Sequence, residues 1–160
     1  MWQGSVSGVP PFRIGDVFMC DDYEALKLKN QICFPLYACS REIIKKYRPF
    51  LDEIDLTYTQ YITMMVLWED KKISIKDMGK KLFLDSGTLT PVLKSLESKG
   101  FITRYRSRED ERVLIAEITQ EGENLKEKAL HIPEKIGNCS KLTAEEAQFL
   151  YRILYKMLSE

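Results

Sequence analysis

The sequence predicts a mainly α-helical chain with one small β-hairpin, on three observations. Polar helix-start residues precede apolar runs of helical period at Thr57, Ser74, Asp85 or Ser86, and Thr143. The period changes to that of strands just after Gly100. A charged run, Arg108-Glu109-Asp110-Glu111-Arg112, then separates two stretches rich in β-branched and aromatic residues.

Taken in order, residues 1–20 carry Gly, Pro and isolated apolar residues without a sustained period, and are expected to form a loose arm. They lack the basic, apolar and small-residue order of a secretory signal. From Asp21 the text turns helical. Ile32, Leu36, Ile43, Tyr47 and Phe50 fall on one stripe, and Pro49 is expected to end that helix. Pro35 is expected in its first turn or at a bend of its axis. Thr57 and Gln60 form a capping box for a second helix, with Tyr58, Tyr61, Ile62, Met65 and Val66 on its apolar stripe. Ser74 and Asp77 start a short third helix carrying Met78 and Leu82. Asp85 or Ser86 caps a fourth, where Leu89, Val92, Leu93 and Leu96 follow the i, i+3, i+4, i+7 pattern up to Gly100. Pro91 in its second turn predicts a slight distortion. Residues 101–107 and 113–118 are the strands of the hairpin. One further helix is expected from Thr119 to about Pro133. A last one follows Thr143-Ala144-Glu145-Glu146, with Ala147, Leu150, Leu154 and Met157 on its apolar side.

Bulk properties narrow the function. With 160 residues and 44% apolar content, the chain can bury a core. It has no uninterrupted apolar stretch of membrane-spanning length, so no membrane partner is expected. Four cysteines (Cys20, Cys33, Cys39, Cys139) show no CxxC pairs, and His131 is the sole histidine. Neither a metal site nor a cofactor is expected, and a cytoplasmic protein would carry no standing disulfides. Net charge is zero, with 24 basic and 24 acidic residues, but the charges are not evenly spread. Between Lys71 and Arg112 eleven Lys/Arg face six Asp/Glu, a surplus of five that the rest of the chain offsets. Such asymmetry fits a localised phosphate-facing surface.

Helix, short helix, helix and hairpin make a winged helix-turn-helix, whose second helix of the pair enters the major groove of double-stranded DNA. The expected reading face is Asp85, Ser86, Thr88, Thr90, Pro91 and Lys94, with small polar groups that can approach base edges closely. The wing offers Arg104, Arg106, Arg108 and Arg112, whose guanidinium forks suit phosphates or the minor groove.

Leu84-Asp85-Ser86-Gly87-Thr88-Leu89-Thr90-Pro91, followed by Arg108-Glu109-Asp110-Glu111-Arg112, closely resembles the recognition helix and wing tip of the MarR family. Cys33-Phe34-Pro35-Leu36-Tyr37 resembles the sensing segment of its OhrR branch, the organic-hydroperoxide repressors. The resemblance runs from about Asp21 to the C-terminus. It implies a homodimer on a pseudo-palindromic operator, with a winged-helix domain over 21–160, a DNA-binding core at 57–119, and dimerisation helices at 21–50 and 120–160. It implies that Cys33 is oxidised to sulfenic acid by an organic hydroperoxide and that Tyr47 and Tyr58 of the partner subunit hold it, with Tyr37 one turn after the thiol. It also implies that Asp110 orients Arg112. Similarity to the two-cysteine members makes Cys139 the resolving thiol of an intersubunit disulfide, with Cys39 and Cys20 as competitors.

The thiol also needs a physical account. Only a thiolate attacks a peroxide, so Cys33 must be reachable and its anion stabilised. Lys29 is the one cation within a turn on its N-terminal side, so the stabilisation is expected from tyrosine hydroxyls and from free N–H groups of a helix beginning near Asn30 or bent at Pro35. The rival readings are a repressor released by a reversibly bound aromatic or phenolic ligand, and a thiol enzyme. No general-base histidine or catalytic constellation supports the latter.

Overall fold

The computed structural model describes residues 23, 26–137 and 142–159. The chain divides into two compact units, Met1–Lys45 and Lys46–Glu160. The architecture is mainly α-helical with a small antiparallel sheet.

Among the described residues of the first unit, a 3-10 turn, Leu28–Asn30, precedes helix α1 (Cys33–Asp52). Residues 26–32, expected within the helical text after Asp21, are therefore not α-helical. Lys27 and Gln31 both take extended backbone angles and break any continuation. Pro35 falls in the first turn of α1, where its missing N–H costs no helical bond. The phenyl and aliphatic side chains of Phe34, Ile43 and Ile44 are exposed.

In the second unit α1 continues through Pro49 instead of ending there. The last turn is held by Leu51, only 2% exposed, and by the tight turn that returns the Leu56 and Ile54 N–H groups to the Leu51 carbonyl. Tertiary burial thus overrides the local preference of proline. The Thr57 capping box then forms in full: Gln60 N–H donates to Thr57 Oγ1, and Thr57 N–H donates to Gln60 Oε1 at 2.9 Å.

Helix α2 (Tyr58–Asp70) is central and packs against α3, α4, α5, β1 and β3. It buries Tyr61, Met64, Val66, Leu67 and Trp68, whereas Met65 is 45% exposed. The expected stripe through Met65 is therefore displaced, because a helix surrounded on several sides has no single apolar face to read. Strand β1 (Lys72–Ser74) escapes sequence reading, since three residues carry no period; it exists through its pairing with β3.

Helices α3 (Ile75–Leu82) and α4 (Ser86–Ser98) are capped by Ser74 and Asp85. Their turn needs Phe83 in the left-handed region and Gly79 beneath it, where a Cβ would lie 2.7 Å from the Leu84 carbonyl oxygen. Leu89, Leu93 and Leu96 of α4 are fully buried. Strands β2 (Ile102–Arg106) and β3 (Leu114–Ile118) pair antiparallel, giving the order β1-β3-β2.

The stretch expected as one helix to about Pro133 is two. Helix α5 (Gln120–Ala129) stops early, and Pro133 stands in the first turn of α6 (Ile132–Gly137), a position proline favours. Helix α7 (Ala144–Leu158) starts with the Thr143/Glu146 capping box and has no buried residue. Replacing Thr57 by alanine should cost about 1 kcal/mol, because the cap and its reciprocal bond are both lost. Urea denaturation should read this as a lower midpoint with an unchanged slope.

Candidate nucleic-acid interface and redox site

The reading end of α4 is built by its cap. Asp85 Oδ1 accepts the Thr88 N–H at 2.9 Å, and Oδ2 accepts the Thr88 hydroxyl at 2.8 Å. These bonds hold the Asp85 carboxyl below its ordinary range, the backbone donor counting most. Asp85 is thus a scaffold at this helix start. Thr88, having given its proton to Asp85, presents lone pairs and a methyl group outward. Thr90 likewise donates to the Ser86 carbonyl at 2.6 Å. Acceptors and methyls of this kind match adenine or cytosine amino groups and the thymine methyl. Ser86, Pro91 and Lys94 are exposed on the same helix.

Part of the basic surplus is neutralised inside the unit. Of the eleven cations between Lys71 and Arg112, five sit in ion pairs: Lys71–Glu123, Lys80–Asp77, Lys81–Asp70, Lys99–Asp55 and Arg104–Glu97. Eleven less five leaves Lys72, Lys76, Lys94, Arg106, Arg108 and Arg112 outside any ion pair among the described residues. Arg104 therefore departs from its expected role as a phosphate contact: its side chain is 17% exposed and bound by Glu97. Arg106 donates to the Glu111 carbonyl across the wing. Asp110 accepts the backbone N–H of Arg112 at 2.9 Å, and its own carbonyl accepts from Val113. It orders the turn that carries Arg112, through the backbone. Arg108 and Arg112 are exposed at the tip.

The sulfur side begins at the first residue of α1. Cys33 is exposed, as is Cys39. The first turn offers fewer backbone donors than expected, since Phe34 N–H goes to the Gln31 carbonyl and Pro35 has none. Cys33, Tyr37 and Arg41 follow one another at four-residue steps, which places them on one helix face. Arg41 donates to the Tyr37 hydroxyl at 2.7 Å and lies 5.5 Å over its ring. Sequence reading missed Arg41, although the i, i+4 spacing to Tyr37 was there to be used.

Tyr47 and Tyr58 meet edge-on in the second unit, 5.0 Å between ring centroids. Tyr61 joins them at 6.0 Å from Tyr47, and Trp68 stands 6.1 Å beyond Tyr61. Burial pushes all three phenols up from their ordinary range, with the neighbouring tyrosines adding to it for Tyr47 and Tyr61. They are hydrogen-bond donors at neutral pH. Cys20 and Cys139 lie outside the described residues. Among the described residues no group of His, Cys, Asp or Glu could hold a metal ion.

Known proteins resemble this chain in sequence and fold. A family model for the transcriptional regulators SarA/Rot matches residues 41–129. The organic hydroperoxide resistance transcriptional regulator of Bacillus subtilis (strain 168) is 48% identical over 140 residues, covering 88% of this chain and 95% of that protein. Reduced AbfR bound to DNA is 35% identical with a TM-score of 0.69, covering 84% of this chain and 94% of that one. AbfR with its disulfide formed is 33% identical with a TM-score of 0.59, covering 85% and 96%. AbfR is a protein of Staphylococcus epidermidis. By these matches, and by the winged helix described above, the chain belongs to the MarR family of transcriptional regulators, in the branch that senses organic hydroperoxides.

Proposed function

We propose that this protein is a homodimeric repressor that binds a pseudo-palindromic operator when reduced and releases it when an organic hydroperoxide oxidises Cys33. The observation that carries the reading is the exposed Cys33 thiol at the first residue of α1, within the same chain as a winged helix bearing six cations outside any ion pair among the described residues. In the first step the Cys33 thiolate attacks one peroxide oxygen. The O–O bond breaks, the terminal hydroxyl stays on sulfur as a sulfenic acid, and the alkoxide leaves as alcohol by taking a proton from water. Tyr47 and Tyr58 of the partner subunit, kept protonated by burial, donate to that oxygen, and Tyr37 lies on the same helix face as the thiol. Cys139 of the partner subunit then attacks the Cys33 sulfur and expels water, leaving a disulfide that a dithiol can reduce.

Residues 57–119 form the DNA-binding core in this reading, and the N- and C-terminal helices join the two copies. Support comes from the apolar groups left uncovered on α1 (Phe34, Ile43, Ile44) and on α7 (Phe149, Leu150, Ile153, Met157), which a second copy would bury. A two-fold dimer fixes the spacing of its reading helices, so small shifts at the dimer helices become large losses on DNA. Residues 1–20, expected from the sequence as a loose arm, lie outside the described residues. We read the protein as cytoplasmic and as a regulator without turnover. Among the described residues no helix is long and apolar enough to cross a membrane.

The test is operator affinity measured reduced, after stoichiometric cumene hydroperoxide, and after dithiothreitol. Loss followed by recovery supports the mechanism. Release by a small phenolic acid at fixed redox state, unchanged in Cys33→Ser, would favour the reversible-ligand reading instead. The open cleft of about 930 Å3 beside α3 and α4 is lined by Lys76, Lys80, Phe83, Asp85, Ser86 and Leu158 and not by the tyrosines, so it does not favour that reading.

The wing makes a separate expectation. Replacing Arg108 or Arg112 by alanine should weaken binding and flatten its dependence on log salt by about 0.9 for each phosphate the variant no longer neutralises. A salt titration of each variant checks this, and an unchanged slope with unchanged affinity would remove the wing tip from the interface.

A further inference from the structure

The join between the reading helix and the wing is a polar clamp. Glu97, one residue from the end of α4, uses both carboxylate oxygens on Arg104 in β2. Oε1 accepts the Arg104 backbone N–H at 3.1 Å, and Oε2 accepts from Nε at 3.0 Å and from Nη2. The guanidinium holds the Glu97 carboxyl below its ordinary range. The covalent link runs through Gly100, at φ +77°, and is held by its backbone: the Gly100 N–H donates to the Glu97 carbonyl, the Phe101 N–H donates to the Leu96 carbonyl, and the Gly100 carbonyl accepts from Thr119 Oγ1 at 2.6 Å. The same end of α4 is tied on its other sides, Ser95 Oγ accepting from the buried Gln60 at 2.9 Å and Lys99 pairing with Asp55 at 3.0 Å. Beyond these backbone bonds, Glu97 ties a side chain of α4 directly to the wing strand.

We propose that Glu97 is a positioning residue for operator recognition: through Arg104 it sets the wing against α4, so that the Arg108–Arg112 tip meets the duplex in the register that α4 reads. The proposal rests on the DNA-binding reading above. Charge alone predicts the opposite result for Glu97→Gln, since removing an anion and freeing Arg104 should tighten any DNA complex.

The test uses the reduced full-length dimer, a duplex enriched by the parent protein from a random-sequence pool, and a scrambled duplex of equal length. Glu97→Gln should lose about tenfold on the enriched duplex, the cost of one misplaced base contact, and bind the scrambled one as well as the parent or better. Arg104→Gln should lose a similar factor with its salt slope unchanged. Arg104→Lys, which keeps the charge but not the planar fork, guards against misfolding of the other two and should also lose discrimination. Tighter or equal binding of the enriched duplex by Glu97→Gln overturns the proposal. So does a salt slope lowered by Arg104→Gln, which would make Arg104 a phosphate contact. A parent that does not distinguish the two duplexes refutes the DNA reading itself and not the clamp.

Discussion

Cys33→Ser should bind the operator in reducing buffer as the parent does, and stay bound when organic hydroperoxide is added. The parent should lose on the order of 100-fold in affinity under the same treatment, near the upper end of couplings between two sites in one protein. Serine keeps the size of the side chain, so the start of α1 and the apolar groups beside it are undisturbed. Its hydroxyl stays protonated near neutral pH and is no nucleophile toward a peroxide. The thiol is exposed in the described structure, so oxidant access needs no opening of a core. Non-reducing mass analysis separates the later steps. The parent should gain a covalent dimer, Cys139→Ser should stop at sulfenic acid or a mixed disulfide, and Cys39→Ser should behave as the parent does. Full oxidant release in Cys33→Ser would end the mechanism and leave a regulator with another trigger.

The parts of this molecule that could be read from sequence are those fixed within a few residues. The Thr57, Ser74 and Thr143 caps each close on an N–H three positions ahead, where their spacing placed them, and of the two candidates Asp85 and Ser86 the structure uses Asp85. Leu89, Leu93 and Leu96 were legible because α4 has one buried face. Features set by distant partners were not. Strand β1 exists because Ile73 finds Ala116, and Met65 is exposed because Met64 and Trp68 claim the interior of a many-sided helix. Pro49 and Pro133 show the same limit: proline marks a helix boundary, but burial of Leu51 and a second helix start decided on which side of it.

The candidate site divides along the same line. Arg108, Arg112 and Lys94 could be picked out by residue type and position, and they are exposed as a DNA surface requires. Arg104 looked equivalent to them in sequence. Only the fold brings Glu97 across the Gly100 turn to take it out of the surface. Zero net charge misleads for a related reason. Asp55, Asp70, Asp77, Glu97 and Glu123 neutralise the cations that anchor the fold, leaving the remaining six basic side chains of that segment facing outward.

Gly122→Ala should be the most damaging single-methyl change in the second unit. A Cβ there would lie 2.2 Å from the Phe101 carbonyl oxygen and 2.8 Å from Ile118 Cγ1, with the Met64 methyl at 3.2 Å. Met64 can swing its tip aside, but a backbone oxygen at the base of the wing cannot move without dragging β2. Helix α5 would have to shift instead. That shift also strains the bond from the Trp68 indole N–H to the Gly122 carbonyl, 2.8 Å long and buried, whose loss leaves a polar group unpaired. Overpacking and the weakened bond together should cost about 3 kcal/mol, which lowers Tm by about 6–12 °C in a chain of this size. Gly100→Ala meets no atom within 4 Å and suffers only from its left-handed φ, about 1 kcal/mol. Gly137→Ala meets neither obstacle and should melt with the parent. Thermal unfolding of the three variants side by side checks the order, and a Gly122→Ala protein as stable as Gly137→Ala would mean that α5 is not seated against Phe101 and Ile118 as closely as these distances require.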